Sequence, residues 1–437
     1  MMPPLFRNST VNVMLALLLA GSMWFYVQRI LIPHQIVDAA AHDHPRGNLS
    51  DLYPRWLGAR ELLLHGRDPY SSEITREIQI GYYGRALDSS RAGDPQDQQA
   101  FAYPVYVVFL LAPLVYIPFT LVRTALYGVL ILLTVASVVI WLRALRWNPS
   151  NAKVAALLLL IVGSLPVIQG TELQQLTLPV AAMLATCALL LVNGNLGFAG
   201  ILLAFATIKP QLVLPLAAWL ILWSVSEWRR RKAFVFGFSA TLGILFAAGE
   251  CVLPGWPTQF FHAVAAYRQY THGASLLDYF TNARWGSILT AVVLSGTAIA
   301  CGRQRHESEQ SPRFVLVFAL VLAVTLLIIP TVSTYNQVLL LPAVLILIRH
   351  ARDLYRQSPL TRMVWILAVS AIFWPWIAAL GLTIASFILL AARVQQAWAL
   401  PFYTSIAIPF AVLGLLMQYA LQILPSKCSS PVPSELR

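Results

Sequence analysis

The chain has 437 residues, of which 58% are hydrophobic and only 11% are charged. A soluble globular domain carries about 25% charged residues, so this composition excludes an ordinary soluble protein and indicates a polytopic membrane protein. The net charge of +12 does not indicate a nucleic-acid partner, because the basic residues form short clusters between apolar segments instead of one long basic face.

Windows of about 20 apolar residues predict an all-α fold with about twelve transmembrane helices. The windows lie at residues 11–32, 103–120, 122–142, 152–169, 174–192, 197–224, 233–253, 285–302, 314–332, 336–348, 363–390 and 400–424. The first window is longer than the apolar core of a secretory signal and leads into further windows, so it is predicted to be a retained helix.

Three basic clusters predict the orientation of the chain. They are WRRRK (228–232), RQRHESEQSPR (303–313) and RHARDLYRQSPLTR (349–362). The positive-inside rule places these clusters and both termini in the cytoplasm, and the protein is expected in the inner (plasma) membrane of a bacterium. Two long loops, residues 33–102 and 254–284, then lie on the outer side.

The segment LRALRWNPSNAK (142–153) fits this count poorly, because it is basic and yet the count places it on the outer side of the membrane. If residues 103–142 form one broken crossing instead, this segment moves inside and QGTELQQLT (169–177) moves outside. Residues 197–224 must then form a re-entrant pair around Lys209 and Pro210. Charge alone leaves both topologies open.

The first outer loop contains a predicted amphipathic helix between Asp51 and His65, lying in the membrane interface. Its apolar face is formed by Leu52, Trp56, Ala59 and Leu63, with Arg55, Arg60 and Glu61 pointing away and Trp56 and Tyr53 suited to the headgroup layer. Asp51 stands at the start of this helix. Its carboxylate either caps the helix, as Ser50 would, at about 1 kcal/mol, or acts as a general base at the membrane surface.

This stretch resembles the first-loop signature of the GT-C superfamily of membrane glycosyltransferases, specifically family 87, the polyprenol-phosphate-mannose-dependent mannosyltransferase type. The family pattern is an aspartate, an apolar residue, a spaced aromatic residue, small residues and then Gly-x-x-Pro-Tyr. The matching residues are Asp51, Leu52, Trp56, Gly58, Ala59, Gly66, Pro69 and Tyr70.

Three later segments are similar to family elements in the same order, and the resemblance covers about residues 51 to 220. FAYPVYVVFLLAPL (101–114) resembles a Tyr-Pro-Pro element that includes Tyr103, with Val105 replacing the second proline. LQQLTLPVAAM (173–183) is similar to a Gly-Gln-x-Asn/Thr element, with Gln174 replacing the glycine and Gln175 and Thr177 retained. AGILLAFATIKPQLVLPL (199–216) resembles the Lys-Pro helix and supplies Lys209.

One late segment departs from the family. Family members place a histidine near the outer end of a late helix, whereas IPTVSTYNQVLLLP (329–342) offers Ser333, Tyr335 and Asn336. The sugar specificity is therefore left open by the resemblance.

The resemblance implies a GT-C fold with a GT-C-like transmembrane module in residues 1–225 and a variable module in residues 226–437. It implies transfer of mannose, a similar hexose or a pentose from a polyprenyl-phosphate donor to a hydroxyl of a lipid or glycan acceptor in the cell envelope, with inversion. Asp51 would be the base, and Lys209 with Arg268 or Arg60 would stabilise the leaving phosphate. The other implied substrate-binding residues are Gln175, Thr177, Tyr103, Tyr335 and Asn336. No nucleotide or other cofactor is needed, and a metal ion is optional.

Several alternatives stand beside these expectations. Lys209 would equally pair with Glu172 or a backbone carbonyl, and Gln175 and Thr177 would equally hold helices together. The run His42, Asp43 and His44 has side chains that metal ions prefer, but it is too short to supply a complete ligand set. A transporter or flippase of lipid-linked sugars, or a non-catalytic assembly subunit, would also suit the helix count.

Overall fold

The computed structural model describes residues 9–41, 50–88, 90–91, 94–95, 97–270, 273–330, 332–356 and 358–424. Of these described residues 80% are helical and none lies in a strand, so the all-α prediction is confirmed. A turn of π-helix, Val27–Leu31, joins the first two helices into one 33-residue segment, Ser9–Ala41. Turns of 3₁₀-helix lie at Ala112–Leu114, Thr334–Leu340 and Ser405–Ala407.

The α-helices are numbered in chain order. They are α1 (Ser9–Tyr26), α2 (Ile32–Ala41), α3 (Tyr53–His65), α4 (Ser72–Tyr83), α5 (Val107–Leu111), α6 (Phe119–Ala144), α7 (Asn151–Val162), α8 (Leu165–Glu172), α9 (Thr177–Val192), α10 (Leu196–Ala206), α11 (Pro210–Ser226), α12 (Trp228–Val252), α13 (Trp256–Tyr270), α14 (Leu276–Phe280), α15 (Ala283–Arg303), α16 (Pro312–Ile328), α17 (Leu341–Arg349), α18 (Ala351–Tyr355), α19 (Pro359–Ile388), α20 (Ala391–Gln396), α21 (Ala399–Thr404) and α22 (Ile408–Ile423).

Six helical segments of the described chain are long and apolar enough to cross a membrane, which makes this an integral membrane protein. They are Ser9–Ala41, Phe119–Ala144, Trp228–Val252, Ala283–Arg303, Pro359–Ile388 and Ala391–Ile423. The pair α7 and α8, bent by 53°, adds a seventh if it counts as one crossing. Shorter apolar helices fill most of the other predicted windows, so the count of twelve crossings stays a prediction.

The predicted crossing at residues 103–120 is wrong. This window holds only the five residues of α5 and one 3₁₀ turn before α6 begins at Phe119. Pro104, Pro113 and Pro118 explain the difference, because proline lacks the backbone N–H that an uninterrupted helix needs and its ring clashes with the preceding turn.

Contacts between loops favour the second of the two topologies. The guanidinium of Arg349, the first residue of the basic segment 349–362, donates to the carbonyl of Leu145 at 2.6 Å. The basic segment 142–153 therefore lies at the same end of the bundle as another basic cluster. Residue 173 lies at the opposite end with the first loop, because the amide of Asp51 donates to the carbonyl of Leu173 at 3.0 Å.

The centre of the bundle is α16. Every residue from 314 to 327 is buried, which is the pattern of a helix surrounded by protein on all sides. Helices α12, α15 and α19 lie outside it and expose large apolar side chains, such as Phe236, Val292 and Leu367, as a lipid-facing surface does.

Helices α10 and α12 pack with their backbones in contact. A methyl group added to Gly200 would collide with the carbonyl oxygen of Phe234, and one added to Gly237 would collide with the carbonyl oxygen of Gly197. Small residues of this kind allow the closest approach of two helices within a membrane.

In the first loop, α3 forms as predicted, with a proline in its first turn and Gly66 in the left-handed conformation (φ +66°) after its end. The predicted orientation is wrong. The indole of Trp56 is 5% exposed and donates to the carbonyl of Leu114 at 3.0 Å, and Glu61 is 8% exposed and paired with Arg67 at 2.8 Å. Because α4 and α5 cover α3, its tryptophan packs against protein instead of lipid headgroups.

Candidate active site

Three interruptions in the apolar helices meet beside the start of α3. They are the turn between α8 and α9, the break between α10 and α11, and the 3₁₀ turn Thr334–Leu340 between α16 and α17. Each interruption leaves backbone and side-chain polar groups that a continuous transmembrane helix would not present. Together with the segment around Tyr103 before α5, the site is therefore assembled from five separate parts of the chain.

The turn between α8 and α9 is made by Gln174, which has a left-handed backbone (φ +47°). Its side-chain amide donates to the carbonyls of Thr171 at 2.8 Å and Glu172 at 2.9 Å. Glycine adopts this conformation without strain, which accounts for the glycine usual at this position of the family pattern. Here the two side-chain hydrogen bonds hold the same turn in place.

Asp51 does not cap α3. That helix begins without a side-chain cap, and the Asp51 carboxylate is directed to other segments. Its Oδ2 accepts a hydrogen bond from the Gln175 amide, and its Oδ1 accepts one from the Tyr82 hydroxyl at 3.4 Å. The hydroxyl oxygen of Ser50 accepts from the Leu52 amide at 3.3 Å. The capping interpretation of Asp51 is therefore wrong.

Lys209 lies at the break before α11 and is 4% exposed. Its ammonium donates to Gln175 Oε1 and to Thr177 Oγ1, both at 2.7 Å, and the Thr177 hydroxyl donates to Asn336 Oδ1 at 3.0 Å. The alternative partner, Glu172, instead accepts from Gln28 at 2.5 Å and Tyr127 at 3.0 Å. The lysine is thus part of a continuous network that ends at Asp51.

Two predicted tyrosines border this network. The Lys209 ammonium lies 5.2 Å from the ring centre of Tyr335 and 5.9 Å from that of Tyr103. The Tyr70 hydroxyl, from the Gly-x-x-Pro-Tyr turn, donates to the Tyr103 carbonyl at 2.5 Å and fixes that segment. The structure therefore brings together seven residues proposed from the sequence, namely Asp51, Tyr103, Gln175, Thr177, Lys209, Tyr335 and Asn336.

Arg55 belongs to the site, although the sequence predicted it on the polar face of α3. Its guanidinium lies 4.6 Å from the ring centre of Tyr103 and donates to the Asp51 carbonyl. The Arg55 Nε is buried and has no hydrogen-bond partner among the described residues. The sequence spacing could have predicted this, because a residue four positions after Asp51 lies one helical turn away on the same side.

Arg60 and Arg268, the two other cations predicted from the sequence, lie outside the network that joins Lys209 to Asp51. Arg60 is half-buried, with its guanidinium 5.4 Å from the ring centre of Trp56, and Arg268 is exposed on α13. Among the described residues neither forms a hydrogen bond or ion pair with the network, so their role as phosphate ligands stays a prediction. The second loop reaches the site through Tyr267, which interacts electrostatically with Asp51 and Arg55.

Burial raises the pKa of the Asp51 carboxyl above its ordinary value. Arg55 opposes this shift, the nearby carboxylate of Asp97 adds to it, and Gln175 and Lys209 lower the pKa by a hydrogen bond and by charge. The net effect is a carboxylate that takes up a proton more readily than an exposed aspartate.

The described residues contain no group of three or more His, Cys, Asp or Glu side chains that is arranged to hold a metal ion. The predicted candidates His42, Asp43 and His44 lie outside the residues that the structure describes. The site's polar groups are instead amide, hydroxyl, ammonium and guanidinium donors around one carboxylate, a set that suits an anionic, hydroxyl-rich ligand.

A comparison with protein families gives one match. The model of glycosyltransferase family 87 matches residues 101–346, more than half of the chain. This match begins after Asp51 and extends well past residue 220, where the resemblance of individual motifs fades. No curated protein and no solved structure matches the chain.

Proposed function

Because the chain belongs to glycosyltransferase family 87, a family of the GT-C type, we propose that it transfers a sugar from a polyprenyl-phosphate donor to an acceptor hydroxyl. Mannose, a similar hexose or a pentose is the proposed sugar, and a lipid or glycan of the cell envelope is the proposed acceptor. The family assignment favours this enzyme over a transporter or a non-catalytic subunit.

The observation that carries the proposal is the half-buried carboxylate of Asp51 within a network of donors. In the proposed reaction Asp51 takes the proton of the acceptor hydroxyl while the acceptor oxygen forms a bond to the anomeric carbon of the sugar. The bond from that carbon to the phosphate oxygen breaks, and its electron pair leaves with the polyprenyl phosphate. A single displacement of this kind inverts the anomeric centre.

The leaving phosphate gains negative charge as the bond breaks, and preorganised cations stabilise such charge most effectively in a site from which water is excluded. Arg55 is suited to this task, since its buried Nε has no hydrogen-bond partner among the described residues and the Tyr103 ring holds its guanidinium plane. Lys209 was predicted as a phosphate ligand as well, but its ammonium donates to Gln175 and Thr177. Arg60 and Arg268 are proposed to guide the donor from outside.

We place the site on the extracytoplasmic side of a bacterial inner membrane, with both termini in the cytoplasm. The support comes from the basic segments, which contact one another at the end of the bundle opposite to Asp51. Arg231, for example, is fully buried and donates to the carbonyl of Arg305 at 2.9 Å, which joins the clusters 228–232 and 303–313.

Replacement of Asp51 tests the proposal. Asp51→Asn protein should insert and unfold at a temperature close to that of the wild type, yet lose transfer from a synthetic polyprenyl-phosphate mannose to a glycolipid acceptor in proteoliposomes. Asp88→Asn is the matched control, because Asp88 is an exposed aspartate of the same loop. Turnover of Asp51→Asn at the wild-type rate would refute the assignment of the base.

A further inference from the structure

We infer that Lys209 is a positioning residue that acts through Gln175, and that it gives the two carboxylate oxygens of Asp51 different tasks. Oδ2 is held by the Gln175 amide, and Oδ1 is the atom that takes the proton of the acceptor. The inference rests on the proposed function, since it presumes that Asp51 is the base.

The orientation of the Gln175 amide follows from the chemistry of its neighbour. An ammonium group has three donors and no acceptor, so the atom that lies 2.7 Å from Lys209 Nζ must be the carbonyl oxygen of Gln175. The NH₂ end of the same amide is then turned towards Asp51 Oδ2, where it acts only as a donor. The ionised carboxylate of Asp51 only accepts and favours the same orientation, and Lys209 keeps the amide in this orientation when Asp51 has taken up a proton.

The other end of the network fixes the lysine itself. Lys209 Nζ donates to Thr177 Oγ1 at 2.7 Å, and the Thr177 hydroxyl donates its single proton to Asn336 Oδ1 at 3.0 Å. These side chains are 8% exposed or less, so water does not compete for their hydrogen bonds. In each hydrogen bond of the path from Asn336 to Asp51 the donor and the acceptor are therefore known.

A firmly held amide donor occupies one lone pair of Oδ2 and lowers the basicity of that oxygen. Oδ1 has only a long hydrogen bond, so it is the more basic oxygen and the one that takes the proton from the substrate. The group that faces Oδ1 is the Tyr82 hydroxyl on α4, at the long distance of 3.4 Å. The acceptor hydroxyl consequently approaches Asp51 from the α4 side of the first loop.

A double-mutant cycle distinguishes action through Gln175 from direct contact of Lys209 with substrate. Lys209→Met and Gln175→Leu remove the two partners with side chains of similar size. Each single variant should lower kcat by about a hundredfold, a loss typical of a misplaced catalytic group. The double variant should be no slower than the slower single variant, measured with polyprenyl-phosphate mannose and a glycolipid acceptor.

If the two losses multiply instead, Lys209 acts independently of Gln175 and the inference is overturned. Asp51→Asn separates this outcome from a failure of the proposed function. An inactive Asp51→Asn protein together with multiplying losses would leave the base in place and remove only the role of Lys209.

Gln175→Glu supplies a second test that does not depend on the stability of the lysine variant. Glutamate keeps an oxygen for Lys209 but turns another oxygen towards Asp51 Oδ2, so the two carboxylates must share a proton. The acid limb of the kcat profile should move to higher pH, with activity recovered in alkaline buffer. Gln98→Glu is the control, because this exposed residue of the first loop uses its side-chain oxygen as an acceptor from Gln79. An unmoved acid limb in Gln175→Glu would contradict the inference.

Discussion

Thr177 and Asn336, which are 159 positions apart, are joined by a buried hydrogen bond of 3.0 Å. Asn336 belongs to the late segment in which members of the family place a histidine. In this protein an amide occupies that segment and extends the same network that ends at Asp51. The departure from the family pattern therefore falls on a group that supports the lysine.

Asn336→Ala tests this relationship. Loss of one buried hydrogen bond costs about 1 kcal/mol, and we expect transfer to fall roughly fivefold because the Thr177 hydroxyl becomes free to turn away from Lys209. Asn195→Ala is a suitable control, since Asn195 is exposed before α10 and its side chain makes no capping hydrogen bond. An unchanged rate in Asn336→Ala would show that Lys209 needs no such support.

The raised pKa of Asp51 predicts the pH dependence of transfer. A base must be ionised, so kcat/KM falls as the pH drops through its pKa, and burial places this acid limb above the ordinary carboxyl value of about 4. Asp97→Asn removes a neighbouring negative charge that raises the pKa, so it should move the limb to lower pH. A pH profile of kcat/KM for both proteins checks this, and a shift in the opposite direction would contradict it.

Arg55→Gln should weaken donor binding. A hydrogen bond to a charged group is worth about 1.5–3 kcal/mol, so we expect the KM for polyprenyl-phosphate mannose to rise tenfold or more, with a fall in kcat as well. Arg76→Gln is the matched control, because Arg76 is an exposed arginine of the same loop. Equal donor KM values for Arg55→Gln and the control would remove Arg55 from the phosphate site.

The topology is testable with cysteine labelling in a Cys251→Ser/Cys428→Ser background, since Cys251 is the exposed cysteine of the described chain and Cys428 lies outside the described residues. Asn148→Cys and Ser72→Cys place thiols at two exposed positions, one in the basic segment 142–153 and one at the start of α4. We expect an impermeant maleimide to label Ser72→Cys in intact cells and Asn148→Cys only in inverted vesicles. Labelling of both from outside would instead favour the first topology, in which residues 142–153 lie on the outer side.

The sequence predicted most of the site because polar residues are conspicuous where an apolar helix is interrupted. Gln175, Lys209 and Asn336 each interrupt or border an apolar window, and a polar group at such a place needs a partner. Their partnership with one another was not predictable, since the contact joins segments that are far apart in the chain.

Arg55 and the window at residues 103–120 were misjudged for different reasons. A charged residue on a surface helix is normally solvated, and only the positions of α5 and Tyr103 show that Arg55 is covered. The prediction of a transmembrane helix at residues 103–120 was wrong because mean hydropathy takes no account of where prolines lie. Pro104, Pro113 and Pro118 prevent one uninterrupted helix there.

The close packing of α10 on α12, at Gly200 and at Gly237, has a mechanical consequence. Helix α10 leads towards Lys209 and α12 leads into the second loop, and backbones this close cannot slide past each other without separating the two helices. The second loop begins at the end of this fixed pair, where Gly255 turns the chain with a φ of +75° and the next residue, Trp256, is buried against Gly249 of α12. The start of the second loop and the break that carries Lys209 are thereby tied to one rigid pair of helices.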